Sequence, residues 1–275
     1  DLAFRTGLAS DDEVGALSRA FDGMTASLAR GRAEVEVRSE QLERVNKELE
    51  SFSYSVSHDL RSPLRGIDGW SLALLEDYGE DLDPKARGYL ETVRTETQRM
   101  GRLIDDLLNL SRVGRSEMKL ETVDLSALAR RVAERLSGAL PERKIAFDIE
   151  PGLVARGDPR LLEIALANLL DNACKFTAPR PDARIEVGAA REPGAYGAPH
   201  GPAFFVRDNG VGFDMEGARN LFGAFQRFHR ASEFPGTGIG LATVKRIIAR
   251  HGGRIRAQSR PGEGAAFHFS LGDMP

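Results

Sequence analysis

From Val14 onward the chain repeats apolar residues every seven positions, and that repeat restricts this stretch to one kind of object. One row is Val14, Phe21, Leu28, Val35, Leu42, Leu49 and Val56; its companion is Leu17, Met24, Gly31, Arg38, Val45 and Phe52. Two such rows make a long helix with a narrow apolar seam, weakened in the middle by Gly31 and Arg38. A lone helix cannot bury a seam of this kind. The repeat therefore predicts a parallel coiled coil between two copies of the chain, a homodimer.

After Val56 the spacing changes. Apolar residues fall at Phe52, Val56, Leu60, Leu64, Ile67 and Leu74, and successive steps of four locally unwind a coiled coil. Pro63 adds to this by removing the amide that would bond to the carbonyl of Asp59. Both irregularities lie in the turn carrying His58 and Asp59, which predicts a bending point through which the upstream coil controls access to His58. In the heptad phase His58 falls off both rows, so its ring is expected to face solvent. A second helix begins at Asp83-Pro84, an N-cap followed by proline at the first helical position. Its apolar row is Ala86, Leu90, Val93, Met100, Ile104 and Leu107, completed by Thr97 and Ser111. The Glu76–Asp83 connection is short enough to force an antiparallel hairpin, and two hairpins from two subunits make a four-helix bundle.

From about Lys119 the texture shifts to alternating strands and helices. Strands are expected at 144–149, 184–187, 203–207, 254–259 and 266–271, with helices at 125–137, 159–176 and 240–251. Of the 29 glycines, 15 fall between Gly188 and Gly264. Glycine-rich loops that meet helices are where phosphates are usually held. The expected fold is an all-α coiled coil and dimeric four-helix bundle followed by an α/β sandwich.

Charge and cysteine usage exclude several classes. With 38 basic and 41 acidic residues the net charge is -3, which offers no basic field to nucleic acid. Cys174 is the only cysteine, so there is no intramolecular disulfide and no Cys-rich zinc site. It lies on the apolar face of its helix and is expected in the core. No run approaches ~18 consecutive apolar residues, so no membrane span is expected. The chain opens at Asp1 with neither Met nor a signal-peptide pattern, and is expected to be part of something longer.

Four clusters carry chemistry, in this order: His58-Asp59-Leu-Arg-Ser62-Pro63-Leu64; Asn168-Leu-Leu-Asp-Asn172-Ala-Cys-Lys175-Phe176; Asp208-Asn-Gly210-Val-Gly212; and Gly236-Thr-Gly238-Ile-Gly240. Each alone has a bland explanation. An exposed histidine is usually a solvated surface residue, two amides can simply decorate an amphipathic helix, Asp-Asn-Gly is a common turn, and a lone GxGxG is weak. In the second cluster Lys175 and Phe176 stand three and four residues beyond Asn172, on the same side of the helix. The last cluster opens a helix whose free amides and dipole suit phosphate. It has no strand immediately before it, which argues against a dinucleotide fold.

All four in register resemble the catalytic half of a bacterial sensor histidine kinase, and the resemblance covers nearly the whole chain. It implies that His58 is the phosphoacceptor nucleophile in the H-box, with Asp59 orienting the ring. It implies a Bergerat-fold ATP domain in which Asn172 holds Mg²⁺, with Asn168, Lys175 and Phe176 completing the N-box. Asp208 would accept from the adenine amino group, with Gly210 and Gly212 letting backbone approach the base. Gly236, Gly238 and Gly240 would cradle phosphates. Phe222, Phe225 and Phe228 resemble the F-box of an ATP lid, where Arg227 would meet the transferring phosphate and Arg230 is as well read as a solvated charge. Two departures stand out: Ser62, where bifunctional relatives carry Thr or Asn for phosphatase chemistry, and Ala265-Ala266, where Ser or Thr is common.

The run Asp12-Glu13-Val14-Gly15-Ala-Leu17 resembles the second half of a HAMP module, which implies a parent protein anchored in the membrane upstream, with this part cytoplasmic. The domain plan is a partial HAMP module at 1–30, a signalling helix at 31–50, a dimerisation and phosphotransfer hairpin at 51–116, and the ATP domain at 117–275. The cofactors implied are ATP and Mg²⁺. No receiver-like acidic pocket follows, so the implied partner is the receiver domain of a separate response regulator. Two other readings compete. An ATP-driven conformational machine of the gyrase type would need a glutamate base where Asn168 stands. A dimeric scaffold with a degenerate nucleotide site is opposed by the intact motifs.

Overall fold

The computed structural model describes residues 12–115, 117–190, 202–228 and 233–272, apart from some helical side chains that include Leu42, Leu49, Phe52 and His58. It divides into two compact units, residues 1–56 and 57–275. The first unit is helical from Glu13, where α1 (Glu13–Tyr78) begins. Val14, Leu17, Phe21, Met24, Leu28, Val35 and Val45 are all exposed on the single chain, a length of apolar surface that soluble proteins usually cover. The expected HAMP segment before Asp12, and the burial of Leu42, Leu49 and Phe52, lie outside the described residues.

In the second unit α1 continues through His58 and Pro63 to Tyr78. The expected bending turn therefore does not end the helix: proline removes one ladder bond without breaking the element. The helix α2 (Pro84–Arg115) returns beside it. Asp83 caps α2 as expected, accepting from Lys85 N at 2.9 Å and Ala86 N at 3.1 Å. Ion pairs Arg61–Asp105 (2.7 Å) and Arg94–Asp68 (3.1 Å) cross the hairpin. Its buried centre is Leu64, Ile104 and Leu108, so the apolar row steps by four from Ile104 and leaves Leu107 half-buried. Thr97 keeps its place in that row because its hydroxyl donates to the carbonyl of Val93 at 2.7 Å.

Beyond the hairpin come β1 (Glu121–Asp124), α3 (Leu125–Ala139), β2 (Ala146–Ile149), β3 (Val154–Gly157), α4 (Pro159–Phe176), β4 (Arg184–Ala190), β5 (Ala203–Asp208), α5 (Gly240–Arg250), β6 (Ile255–Arg260) and β7 (Gly264–Phe269). The five expected strands and three expected helices are all present with ends shifted by up to three residues. Strands β1 and β3 were not expected; each is only four residues long, and they pair antiparallel in a small separate sheet. The main sheet has five strands in the order β2-β4-β5-β7-β6. Its β2–β4 pair is parallel and the rest are antiparallel. The alternation of buried Phe204 and Val206 with Phe205 and Arg207 gives β5 one inner face. That face packs with α3, α4 and α5 into a single core that includes Leu166, Leu169, Leu170, Ile185, Ile247 and Ile248.

One node fixes where the site-bearing helix starts. Asp158 caps α4, its Oδ1 accepting from Arg160 N and Leu161 N, while its Oδ2 accepts from Lys119 N at 3.0 Å. His251, at the end of α5, is fully buried beneath it. Its Nε2 accepts from Asp158 N at 3.0 Å, which assigns the proton to Nδ1, 2.8 Å from the carbonyl of Ile247. The segment arriving from α2, the start of α4 and the end of α5 therefore meet at two side chains.

Candidate active site

Helix α4 carries most of the site because its two faces have different chemistry. Leu162, Leu166, Leu169, Leu170 and Ala173 are buried on one side. Asn168, Asp171, Asn172 and Lys175, spaced by three, one and three, fall together on the other and line a cleft of about 350 Å³. Opposite stand the Gly236–Gly240 loop, Asp208 from the end of β5, and Arg227. The cleft also takes Arg102, Asp105 and Asp106 from α2.

At the floor Lys175 Nζ donates to Asn172 Oδ1 at 3.2 Å and lies 4.3 Å from the centroid of the Phe176 ring. Phe176 in turn packs on Phe234, with centroids 5.1 Å apart. Burial holds the lysine below its ordinary pKa, with Asp171 opposing and Arg227 adding to the effect. The carboxyl of Asp171 is pushed up by loss of water and by Asp106 across the cleft, against the pull of Lys175. Asn168 donates to the carbonyl of Ile164 at 2.8 Å, and an added Cβ at Gly240 would lie 2.7 Å from its Oδ1. Asn168 is thus the surface against which the glycine loop closes.

Asp208 is buried, and burial raises its pKa to about 6 against hydrogen bonds from the backbone of Gly210 and Ala265. Gly210 N donates to its Oδ1 at 2.8 Å. Gly210 supports the cleft from behind: an added Cβ would stand 2.5 Å from the carbonyl of Phe176. Gly212 lines the cleft itself. In the glycine loop Gly238 has φ +77°, and a side chain there would meet the carbonyl of Gln226. Helix α5 follows with no side-chain cap, so its first N–H groups are left for another acceptor.

Arg227 donates from Nη1 to the carbonyl of Gly236 at 2.7 Å and from Nη2 to that of Phe234 at 2.6 Å. It ties its own segment to the glycine loop. Of the three lid phenylalanines, Phe222 packs on the core and Phe228 stacks on Phe213 at 5.9 Å. Phe225 departs from the expected lid packing: its φ is +63° and the residue is 57% exposed. A left-handed turn at that residue breaks the three-residue spacing read from the sequence.

The structure thus gathers Asn168, Asn172, Lys175, Phe176, Asp208, Gly212, Arg227, Gly236, Gly238 and Gly240 around one cleft. Asp59 stands outside it and is exposed. The ring of His58, and Arg230, lie outside the described residues. Sequence reasoning missed Asp171, Asp106 and Thr237. Asp171 was within reach, being three residues after Asn168 on the same face. Asp106 was not: its Oδ2 accepts from the hydroxyl of Thr237 at 2.6 Å, across 131 positions of chain.

The class defined by this fold and cleft is an α/β domain with a phosphate-suited cleft, joined to a helical hairpin. Residues 48–116 match the family model of the His Kinase A (phospho-acceptor) domain. Residues 157–274 match that of the histidine kinase-, DNA gyrase B-, and HSP90-like ATPase. The chain is 39% identical over 236 residues to Cyanobacterial phytochrome B of a Nostoc species, covering 85% of this chain and 31% of that protein. It is 38% identical over 247 residues to the methanogenesis regulatory histidine kinase FilI of Methanothrix harundinacea, covering 90% of this chain and 27% of that protein. Among solved structures, full-length ShkA in complex with AMPPNP superposes with a TM-score of 0.57 at 30% identity, over 80% of this chain and 45% of that one. The chain belongs to the sensor histidine kinases and carries both their phosphoacceptor and ATPase domains. It spans less than a third of the length of these two curated relatives. No described helix is long and apolar enough to cross a membrane.

Proposed function

We propose that this chain is the catalytic part of a two-component sensor kinase that phosphorylates His58 from Mg·ATP and passes the phosphoryl group to an aspartate of a separate response regulator. The observation that carries this reading is the convergence of Asn172, Lys175, Asp208 and an uncapped helix start on one cleft, in a chain that also carries a phosphoacceptor domain. In the reaction a ring nitrogen of His58 forms a bond to the γ-phosphorus as the bond to the β–γ bridging oxygen breaks, and ADP leaves. Asp59 would orient the ring. Phosphoryl transfer asks for positioning and charge neutralisation more than covalent chemistry.

The residues present fit the groups the reaction requires. Asn172 Oδ1 already accepts from a cationic ammonium, so it suits Mg²⁺, a hard cation that takes oxygen ligands and would neutralise phosphate charge when bound. Lys175 and the amides at the start of α5 would hold phosphate oxygens, and Arg227 would exchange lid carbonyls for the transferring group. Asp208 would accept from the adenine amino group. Asn168 stands where ATP-hydrolysing relatives need a base, and an amide cannot take a proton from water. Transfer to His58 is then favoured over hydrolysis.

The same reading makes residues 1–30 part of a HAMP module, 31–50 a signalling helix, 51–116 the dimerisation and phosphotransfer hairpin and 117–275 the catalytic domain. The working form is a homodimer, the cytoplasmic portion of a receptor anchored in the inner membrane upstream. The test is transfer of radiolabelled γ-phosphate from ATP to the wild type, His58→Ala and His58→Gln. The expected product is acid-labile, alkali-stable label on the wild type alone. Tight ATP binding with no label on the wild type would withdraw the role of His58.

A further inference from the structure

Three backbone segments meet behind the proposed base site, and they touch so closely that glycines line the contact. Val211 N donates to the carbonyl of Phe176 at 3.1 Å, and Gly262 N donates to the carbonyl of Val211 at 2.7 Å. The 208–212 turn is thereby laid between the end of α4 and the β6–β7 turn. Its outer flank is held by Asn209, whose Oδ1 accepts from Arg184 N at 2.9 Å and whose Nδ2 donates to the carbonyl of Asp182 at 2.8 Å.

One cation joins the three segments. Arg180, on the loop after α4, is anchored by its own N–H to the carbonyl of Thr177 at 2.9 Å. Its Nη2 donates to the carbonyl of Gly210 at 3.3 Å and also to that of Gly262. Gly210 is the residue whose N–H holds Asp208 Oδ1. Arg180 is half-buried and does not line the cleft, so any effect on a bound base would have to pass through Gly210 and Asp208.

We infer that Arg180 is a positioning residue for adenine recognition: by bridging the Gly210 and Gly262 carbonyls it sets the carboxylate of Asp208 where the amino group of the base arrives. The inference rests on the reading of Asp208 as the base acceptor. A charge-assisted bond to two carbonyls is strong enough to fix a short turn. An acceptor fixed before binding discriminates between ligands that have the matching donor and ligands that lack it.

Two nucleotides isolate this effect. ATP carries the amino group, and purine riboside triphosphate lacks it while keeping ring and phosphates. The ratio of their dissociation constants reads how well Asp208 is placed. In the wild type the preference for ATP is expected on the order of tenfold or more. Arg180→Ala is expected to cut it to roughly threefold or less, with the affinity for purine riboside triphosphate little changed. Arg180→Gln keeps a polar amide donor but is shorter and uncharged, and gives the same comparison if the alanine variant does not fold. A purely structural role would weaken both nucleotides together and leave the ratio intact, and that outcome overturns the inference while Asp208 keeps its role. A wild type that binds both nucleotides equally withdraws Asp208 as the base acceptor, and the role of Arg180 with it.

Discussion

Asp208 is a buried carboxyl in which stability and the proposed recognition of the base pull in opposite directions. Its pKa in the fold, about 6, lies above the ordinary value of 3.8. A raised carboxyl pKa means that the folded state holds the proton more tightly than the unfolded chain. The stability this group contributes is present at low pH and is lost as pH rises through about 6. In the proposed recognition of the adenine amino group the charged form is the stronger acceptor, so ATP affinity is expected to fall as pH drops from neutrality through the same value. Asp208→Asn should flatten that profile and weaken ATP by roughly tenfold or more at pH ~7.5. It should also raise the thermal midpoint there by about 2–4 °C, because a buried charge is removed. Calorimetric titration across pH, alongside thermal unfolding, measures both; a variant whose ATP affinity tracks pH as the wild type does would assign the titration elsewhere. Asn172 and Lys175 were legible as site residues because their spacing on a helix is local. The outward turn at Phe225 was not, since a φ of +63° at a non-glycine residue leaves no mark in the spacing of the sequence.

At the scale of elements, the site depends on where α4 and α5 begin and on what α2 brings to them. Asp158 is pushed up by loss of water but held below its ordinary pKa by three backbone N–H donors and Arg160. Asp158→Ala would leave those donors unpaired and is expected to cost about 1–3 kcal/mol, read as a lower denaturation midpoint. Unchanged stability would mean that water replaces the cap. The Thr237–Asp106 hydrogen bond sets a carboxylate of α2 against the glycine loop. Phosphate oxygens arriving at that loop meet a like charge and compete for the same hydroxyl. Asp106→Asn should therefore tighten ATP by roughly three- to tenfold and leave adenosine unchanged; a change of equal size for both would show that the effect is not electrostatic. Long elements such as α4, with Asp158-Pro159 at its start, were legible from capping chemistry. Strands β1 and β3 were not, because each buries a single residue, Val123 and Gly157, and so shows no apolar alternation along the chain.

At the scale of the whole molecule, the hairpin of a single chain leaves Leu60, Ile67, Leu74, Val93 and Met100 exposed at 42–46%. An apolar stripe of that length favours a second copy. Ile67→Asp should convert a dimer to a monomer by light scattering, while ATP binding persists because the cleft is built from one chain. A wild type that is already monomeric at micromolar concentration would remove the premise. The amino-acid sequence by itself determined the long helix, its hairpin, the strand-and-helix texture after Lys119 and the face of α4 that carries Asn168, Asn172 and Lys175. All of these follow from periodicities of two, three and a half or four residues and from the capping groups at helix ends. Only the tertiary structure decided that Asp106 enters the cleft, that His251 supports the cap of α4 and that Arg180 spans two turns. Those contacts join residues 131, 93 and 82 positions apart. A repeat along the chain reports which face of an element is apolar, but not which distant side chain will meet the other face once the elements have packed.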